Sequence, residues 1–209
     1  MKVVHLGGAP DVCVAVDSTS DALAAGPVHQ ADAARAEQLP AWRAAEFLGA
    51  RALLRLLLAQ VEPAARGATL ASDPAGCPVL PDWPELSVSL SHDRGHVAAA
   101  VARRAGVGID VQVPPDTLDE AMVRRCLREH ATALDGLDDT ERRLEFAWVW
   151  TVQEACVKAQ GTGLAGRPWS IDVLPGQRDG RWGEYRWMSL REQSRTPLSC
   201  AYHDTEAGG

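Results

Sequence analysis

Two acids set among apolar neighbours carry the chemistry this chain could perform. In Trp150-Thr-Val-Gln-Glu154-Ala-Cys-Val-Lys158, Glu154 and Lys158 stand four residues apart and share a helical face. No other charged residue occurs between Phe146 and Val157. A carboxylate in such surroundings needs a cation, a metal or hydrogen bonds, because burying it unpaired is costly. Taken alone, the pair is more simply an ion pair at the edge of a core helix. Asp110 adds a second case, between Ile109 and Val111 in the strand-like Val107-Gly-Ile-Asp110-Val-Gln112. Two such acids suggest a hard divalent cation, Mg²⁺ foremost. That ion takes one or two carboxylates, keeps water and completes its shell with substrate phosphates.

The elements that must position these acids follow from periodicity and punctuation. Residues 12–16 read as a first strand and 31–38 as a short helix. Residues 41–61 form the clearest helix, with Ala45, Leu48, Ala52, Leu56 and Ala59 at helical spacing and Pro63 as its stop. After a Gly-, Pro- and Asp-rich loop, strands are expected at 86–90, 96–102 and 107–111. Their short connections, including the turn through Arg104 and Ala105, predict an antiparallel meander with Ser91, His92 and Asp110 on one rim. Beyond Pro114-Pro115, helices are expected near 118–130 and 140–160, then strands near 170–174, 183–190 and 198–203. Gly161-Thr-Gly163 reads as a helix stop. The fold class is α+β, two halves each with a long helix on a three-stranded antiparallel sheet. The expected division is 1–112 and 113–209, with the site at their interface.

The 209 residues suffice for a sizeable core, and 46% hydrophobic with 23% charged is ordinary for a globular chain. A net charge of -7 argues against nucleic acid as a general partner. Five scattered cysteines with no C-x-x-C favour reduced thiols in the cytoplasm. The start, Met1-Lys2 running soon into Gly7, Gly8 and Pro10, does not read as a signal peptide. The apolar run 52–59 contains Arg55 and is too short for a bilayer, so no membrane partner is expected.

In order along the chain, Arg43-Ala-Ala-Glu-Phe-Leu-Gly-Ala-Arg51, Gly76-Cys-Pro78, Leu90-Ser-His92, Gly108-Ile-Asp110 and the Trp150–Lys158 motif resemble the 4′-phosphopantetheinyl transferases of the Sfp type. The resemblance implies a pseudo-twofold monomer that moves phosphopantetheine from coenzyme A to a serine of an acyl or peptidyl carrier protein, releasing 3′,5′-ADP. Such holo-[acyl-carrier-protein] synthases serve fatty acid, polyketide or nonribosomal peptide synthesis. By resemblance, Asp110 and Glu154 hold Mg²⁺ (or Mn²⁺) against the pyrophosphate, with Gln112 at a third metal position. Glu154 would also be the general base, and Lys158 would neutralise phosphate oxygens. Arg43, Arg51, Ser91 and His92 would hold the coenzyme A nucleotide, whose phosphates suit the guanidinium fork.

The chain departs from that pattern at three places. Gln153 stands where a lysine is usual, Cys77 where many members have a cation, and Gln112 where many have a second acid. Gln153→Lys is expected to be tolerated. The neutral residues keep a second reading open, a non-catalytic module that binds coenzyme A or a carrier. Without the resemblance, Arg43 and Arg51 would be solvated charges, and His92 would be a structural hydrogen-bonder. The turn between His92 and His96 breaks a zinc geometry. The tryptophans are assigned to the core. Ala121-Met-Val-Arg-Arg-Cys-Leu-Arg128 is either a core-covering amphipathic helix or a surface with a Met122-Val123 edge and basic residues for an acidic carrier helix.

Overall fold

In a computed structural model, the structure describes residues 2–6, 9–103 and 106–204. Two strands, β1 (Lys2–Leu6) and β2 (Ala9–Ser18), lead into helices α1 (Thr19–Ala25), α2 (Gln30–Ala36) and α3 (Ala41–Val61). Short strands β3 (Ala71–Ser72) and β4 (Pro78–Val79) punctuate the following loop. Next come β5 (Leu86–Asp93), β6 (His96–Arg103) and β7 (Val107–Val111). Helices α4 (Glu120–Leu127) and α5 (Asp139–Gln160) precede β8 (Asp179–Trp182), β9 (Tyr185–Ser189) and β10 (Leu198–His203).

The main sheets have four strands each, not three. Their orders are β1-β2-β6-β5 and β7-β10-β9-β8, with all pairings antiparallel. The expected meander is therefore wrong at its last strand: β7 leaves β6 and pairs with β10. The turn residues Arg104 and Ala105, like Met1, Gly7 and Gly8, lie outside the described residues. The strand expected at 170–174 is absent; Pro168–Ser170 form a 3-10 turn, and the Ile171 carbonyl accepts a side-chain bond from Gln153. The expected 183–190 strand is a hairpin, β8 and β9, turning at Gly183 with φ 56°.

Three cores explain the arrangement. Leu53, Leu54, Leu57 and Leu58 of α3 pack on Val88, Val97, Ala99 and Val101 of the first sheet. Val149, Val152 and Cys156 of α5 pack on Trp187, Ala201 and the α4 residues Val123 and Leu127. Between the sheets lie Val12, Val14, Ala98, Ala100 and Ala102 on one side, with Ile109, Leu198 and Cys200 on the other. Residues 97–102 of β6 are buried on both faces, and the alanines let the second sheet approach closely.

The serines of β5 are the seam. Leu86, Val88 and Leu90 face the α3 core, whereas Ser87, Ser89 and Ser91 face the free edge of β7. Their hydroxyls accept the N–H groups of Val107, Ile109 and Val111 at 3.3, 3.1 and 3.2 Å. Side chains of one sheet thereby satisfy the edge of the other. Among the described residues, no helix is long and apolar enough to cross a membrane.

Candidate active site

Helix α5 is fixed at both ends. Asp138 accepts from Thr140 N and Glu141 N while Glu141 reaches back to Asp138 N, a capping box. Gly161, at φ 76°, ends the helix as its spacing predicted. Between the ends the helix sorts its residues by face. Phe146, Val149, Gln153 and Val157 share a buried stripe, while Trp150, Glu154 and Lys158 form a half-buried one.

β7 crosses α5 at Gly108. A Cβ there would overlap the Ala155 carbonyl oxygen and the Ala159 nitrogen, so only glycine permits this approach. Two residues on, and therefore on the same strand face, Asp110 meets α5. Its Oδ1 accepts from Lys158 Nζ at 2.6 Å and from Ser91 Oγ at 2.8 Å. Lys158 Nζ also donates to Ser91 Oγ and to the Ile109 carbonyl, each at 3.2 Å. Asp110 Oδ2 has no hydrogen-bond partner among the described residues. Glu154 Oε1 is buried without one. Burial pushes the Glu154 carboxyl above its ordinary range, the Asp110 charge adds to that rise, and Lys158 opposes it.

These groups border one cavity of about 390 Å³, together with His92, Asp93, Gln112, Trp150 and Leu164. His92 Nδ1 lies 3.0 Å from Glu46 Oε2 of α3, and Glu46 Oε1 accepts the Gly95 N–H at 3.2 Å. Gln112 donates its amide to Asp93 Oδ2 at 2.9 Å and to the Val113 carbonyl at 3.2 Å. The structure thus brings together Ser91, His92, Asp110, Gln112, Glu154 and Lys158.

Arg43 and Arg51 do not line the cavity. Arg43 is exposed. Arg51 pairs with Asp32 Oδ1 at 3.0 Å and lies over the Phe47 ring, while Arg55 holds Asp32 Oδ2 at 2.7 Å. Arg51 is therefore neither solvated nor free, and with Arg55 it ties α2 to α3. Gln153 is wholly buried and donates to the carbonyls of Cys126 and Ile171 at 2.8 and 2.9 Å, away from the cavity. Cys77 Sγ reaches the Gly161 carbonyl at 3.7 Å, so the 76–78 loop meets the end of α5.

Other expectations are revised. Val123 is core, so only Met122 is left of the supposed apolar edge. Arg125 stacks over Trp169, and Arg128 pairs with Asp172. Trp42 is 67% exposed, unlike the tryptophans of α5. Sequence reasoning missed Glu46, which lies inside the Arg43–Arg51 segment, and Asp93, which directly follows Leu90-Ser-His92. A separate exposed group, Glu129, His130 and Asp172, could hold a metal, but Arg128 already occupies Asp172 Oδ1 at 3.2 Å.

The donor set suits a hard divalent cation. Two converging carboxylates, one with a buried and unpartnered oxygen, provide the charge and oxygen atoms such an ion needs. Residues 106–203 match the sequence model of the 4′-phosphopantetheinyl transferase superfamily, and residues 31–102 match that of the 4′-phosphopantetheinyl transferase N-terminal domain. The chain belongs to the 4′-phosphopantetheinyl transferase family. It is also 28% identical over 125 residues to a Synechocystis sp. protein whose name assigns it provisionally to the 4′-phosphopantetheinyl transferases. That match covers 57% of this chain and 51% of the relative, so the matched part spans about half the relative's length. The two matched regions meet between β6 and β7, where the chain passes from one sheet to the other.

Proposed function

We propose that this chain transfers 4′-phosphopantetheine from coenzyme A to a carrier-protein serine, in the manner of the Sfp-type enzymes. The observation that carries the reading is the Glu154 oxygen buried without a hydrogen-bond partner among the described residues, on a carboxyl that feels the Asp110 charge and borders the same cavity as Asp110 and Lys158. Asp110 and Glu154 would hold Mg²⁺ or Mn²⁺, with the Gln112 amide as a neutral third donor. The bound ion would neutralise charge on the pyrophosphate as its bridge breaks.

In this reading, Lys158 leaves Asp110 for a phosphate oxygen when the nucleotide binds. His92, braced by Glu46, and Ser91 hold the nucleotide beside the same cavity, and Arg43 supplies an exposed guanidinium. Arg51 acts through the α2–α3 packing, since Asp32 already occupies it. The carrier serine oxygen forms its bond to the pantetheine-bearing phosphorus. The bond to the adenosine-side phosphate breaks, 3′,5′-ADP leaves with the electron pair, and the serine proton passes to Glu154. Without an ion, burial and the Asp110 charge favour the protonated Glu154 carboxyl; a bound cation would offset both and keep the carboxylate ionised to accept that proton.

Both sheets contribute groups to the cavity, so one chain suffices and we read the protein as a pseudo-twofold monomer. In this reading the halves divide near the expected 112/113 boundary, with β7 lent to the second sheet and the site at their interface. The binding-module alternative drew on the neutrality of Gln153 and Cys77; Gln153 donates into the second core and leaves the cavity's charge unaltered, whereas Cys77 at the end of α5 still supplies no cation. Incubation with coenzyme A, Mg²⁺ and apo-carriers of the fatty-acid, polyketide and peptide types, followed by mass spectrometry, tests the proposal. A carrier gaining phosphopantetheine supports it; no gain on any carrier favours the binding module.

A further inference from the structure

Asp93 ends β5 and turns its carboxylate toward the chain leaving β7. Its Oδ2 accepts the Val113 N–H at 2.7 Å and the Gln112 Nε2 at 2.9 Å. The same Gln112 nitrogen donates to the Val113 carbonyl at 3.2 Å. Neither partner oxygen can be the donor: a peptide carbonyl has no proton, and Asp93 Oδ2 is already accepting a backbone N–H. The usual ambiguity between the oxygen and nitrogen of a glutamine amide is thereby removed. The nitrogen is committed to Asp93 and Val113, and Oε1 is the polar atom that Gln112 can offer to the cavity it lines with Asp110 and Glu154.

We propose that Asp93 is a positioning residue that holds the Gln112 amide with its oxygen, not its nitrogen, available to the two-carboxylate site. The proposal rests on the divalent-cation reading above. Orientation decides the sign of the contact: an amide oxygen is a hard neutral ligand, whereas an NH₂ group repels a cation. Where many relatives have an acid, this chain uses a neutral oxygen, and a neutral ligand must be turned correctly by a neighbour. Asp93 does this through Gln112 and fixes the backbone after β7 with the same atom.

Mn²⁺ is the probe, titrated into the full chain with free ion followed by electron paramagnetic resonance, and melting temperature measured in parallel. Asp93→Ala should weaken Mn²⁺ binding about 10–100-fold, the usual scale for losing a group that orients a ligand. Gln112→Ala removes the amide oxygen and should weaken Mn²⁺ binding by a similar factor. If Asp93 acts through that amide, Asp93→Ala combined with Gln112→Ala should bind Mn²⁺ no more weakly than Gln112→Ala alone. Unchanged affinity in Asp93→Ala, or losses that add in the double variant, overturns the proposal while the cation reading stands. If Asp93→Ala does not fold, Gln112→Ala decides, since unchanged Mn²⁺ affinity there leaves Asp93 nothing to position. A wild-type chain that takes up no Mn²⁺ removes the cation reading and this proposal together.

Discussion

Ser91 and Asp110 meet across the seam between the two sheets, the serine hydroxyl donating to Oδ1 at 2.8 Å while it accepts the Val111 N–H at 3.2 Å. One small side chain thus satisfies the edge of β7 and holds the acid that β7 carries. Ser91→Ala leaves a buried N–H without its acceptor, at a cost of about 1–3 kcal/mol. For a chain of this size that is about 2–4 °C of melting temperature per kcal/mol. Calorimetry should show the fall, and transfer should slow because Asp110 loses a fixed bond. An unshifted melting curve would mean the seam does not depend on this hydroxyl.

Gly108 makes a sharper test of how the two acids are brought together. Both atoms that a Cβ would strike, the Ala155 oxygen and the Ala159 nitrogen, belong to the α5 backbone and cannot rotate away. Gly108→Ala must therefore push β7 from α5 and move Asp110 relative to Glu154. Overpacking of this kind costs about 1–3 kcal/mol. Transfer should fall further than stability does, since a misplacement of about 1 Å can cost on the order of 100-fold in rate. A variant with wild-type rates would show that the acids need not approach this closely.

Much of this site is legible in the chain itself. The bounds of α3 and β7 follow from spacing and flanking residues, and the stripe Trp150, Glu154, Lys158 follows from helical geometry. The destination of β7 does not. Serines alternating with leucine and valine look like a solvent-facing strand face, and sequence cannot distinguish water from a neighbouring strand edge as their partner. Gln153 was readable in principle. It lies seven residues after Phe146 and four after Val149, on the core stripe, but its place beside Glu154 drew attention to the wrong face. Asp93 and Arg51 required coordinates, because their roles are set by groups distant in sequence, Val113 and Asp32.

Glu154 should cost the metal-free protein stability that its function requires. Burial and Asp110 raise its folded-state pKa above the ordinary value of 4.5, so the folded chain keeps this proton to higher pH than the unfolded chain. Stability from this group is then full below the unfolded value and declines as pH climbs through the folded one. Glu154→Gln removes the penalty. In chelator the variant should melt higher than wild type at neutral pH, and the difference should shrink toward zero in acid. Its transfer activity should be lost at every pH. A variant that melts no higher at neutral pH would show that the wild-type carboxylate is not strained by its surroundings.

Arg43 and Arg51 should separate under mutation, although the sequence motif pairs them. Arg43→Ala removes an exposed guanidinium and should raise the Kd for coenzyme A without moving the melting temperature. Arg51→Ala should lower the melting temperature, because Asp32 is buried and loses one of its two arginines. The loss should stay below the roughly 3–5 kcal/mol of a buried charge left wholly unpaired, since Arg55 keeps Asp32 Oδ2. Isothermal titration and calorimetry read the two effects apart. Equal losses of affinity with unchanged melting in both variants would place Arg51 in the nucleotide site after all.

Carrier recognition can be tested on α4 with one arginine. Arg125 is stacked on Trp169 and Arg128 is paired with Asp172, so reversing either disturbs a contact within the protein. Arg124 makes no such contact among the described residues, and Met122 beside it is 38% exposed. Arg124→Glu should therefore leave folding and coenzyme A affinity alone. If α4 receives an acidic carrier helix, the apparent KM for the carrier should rise and the salt dependence of the rate should weaken, because a steering charge has been inverted. If α4 only covers the core, as the burial of Val123, Cys126 and Leu127 would also allow, steady-state transfer at several salt concentrations will match the wild type.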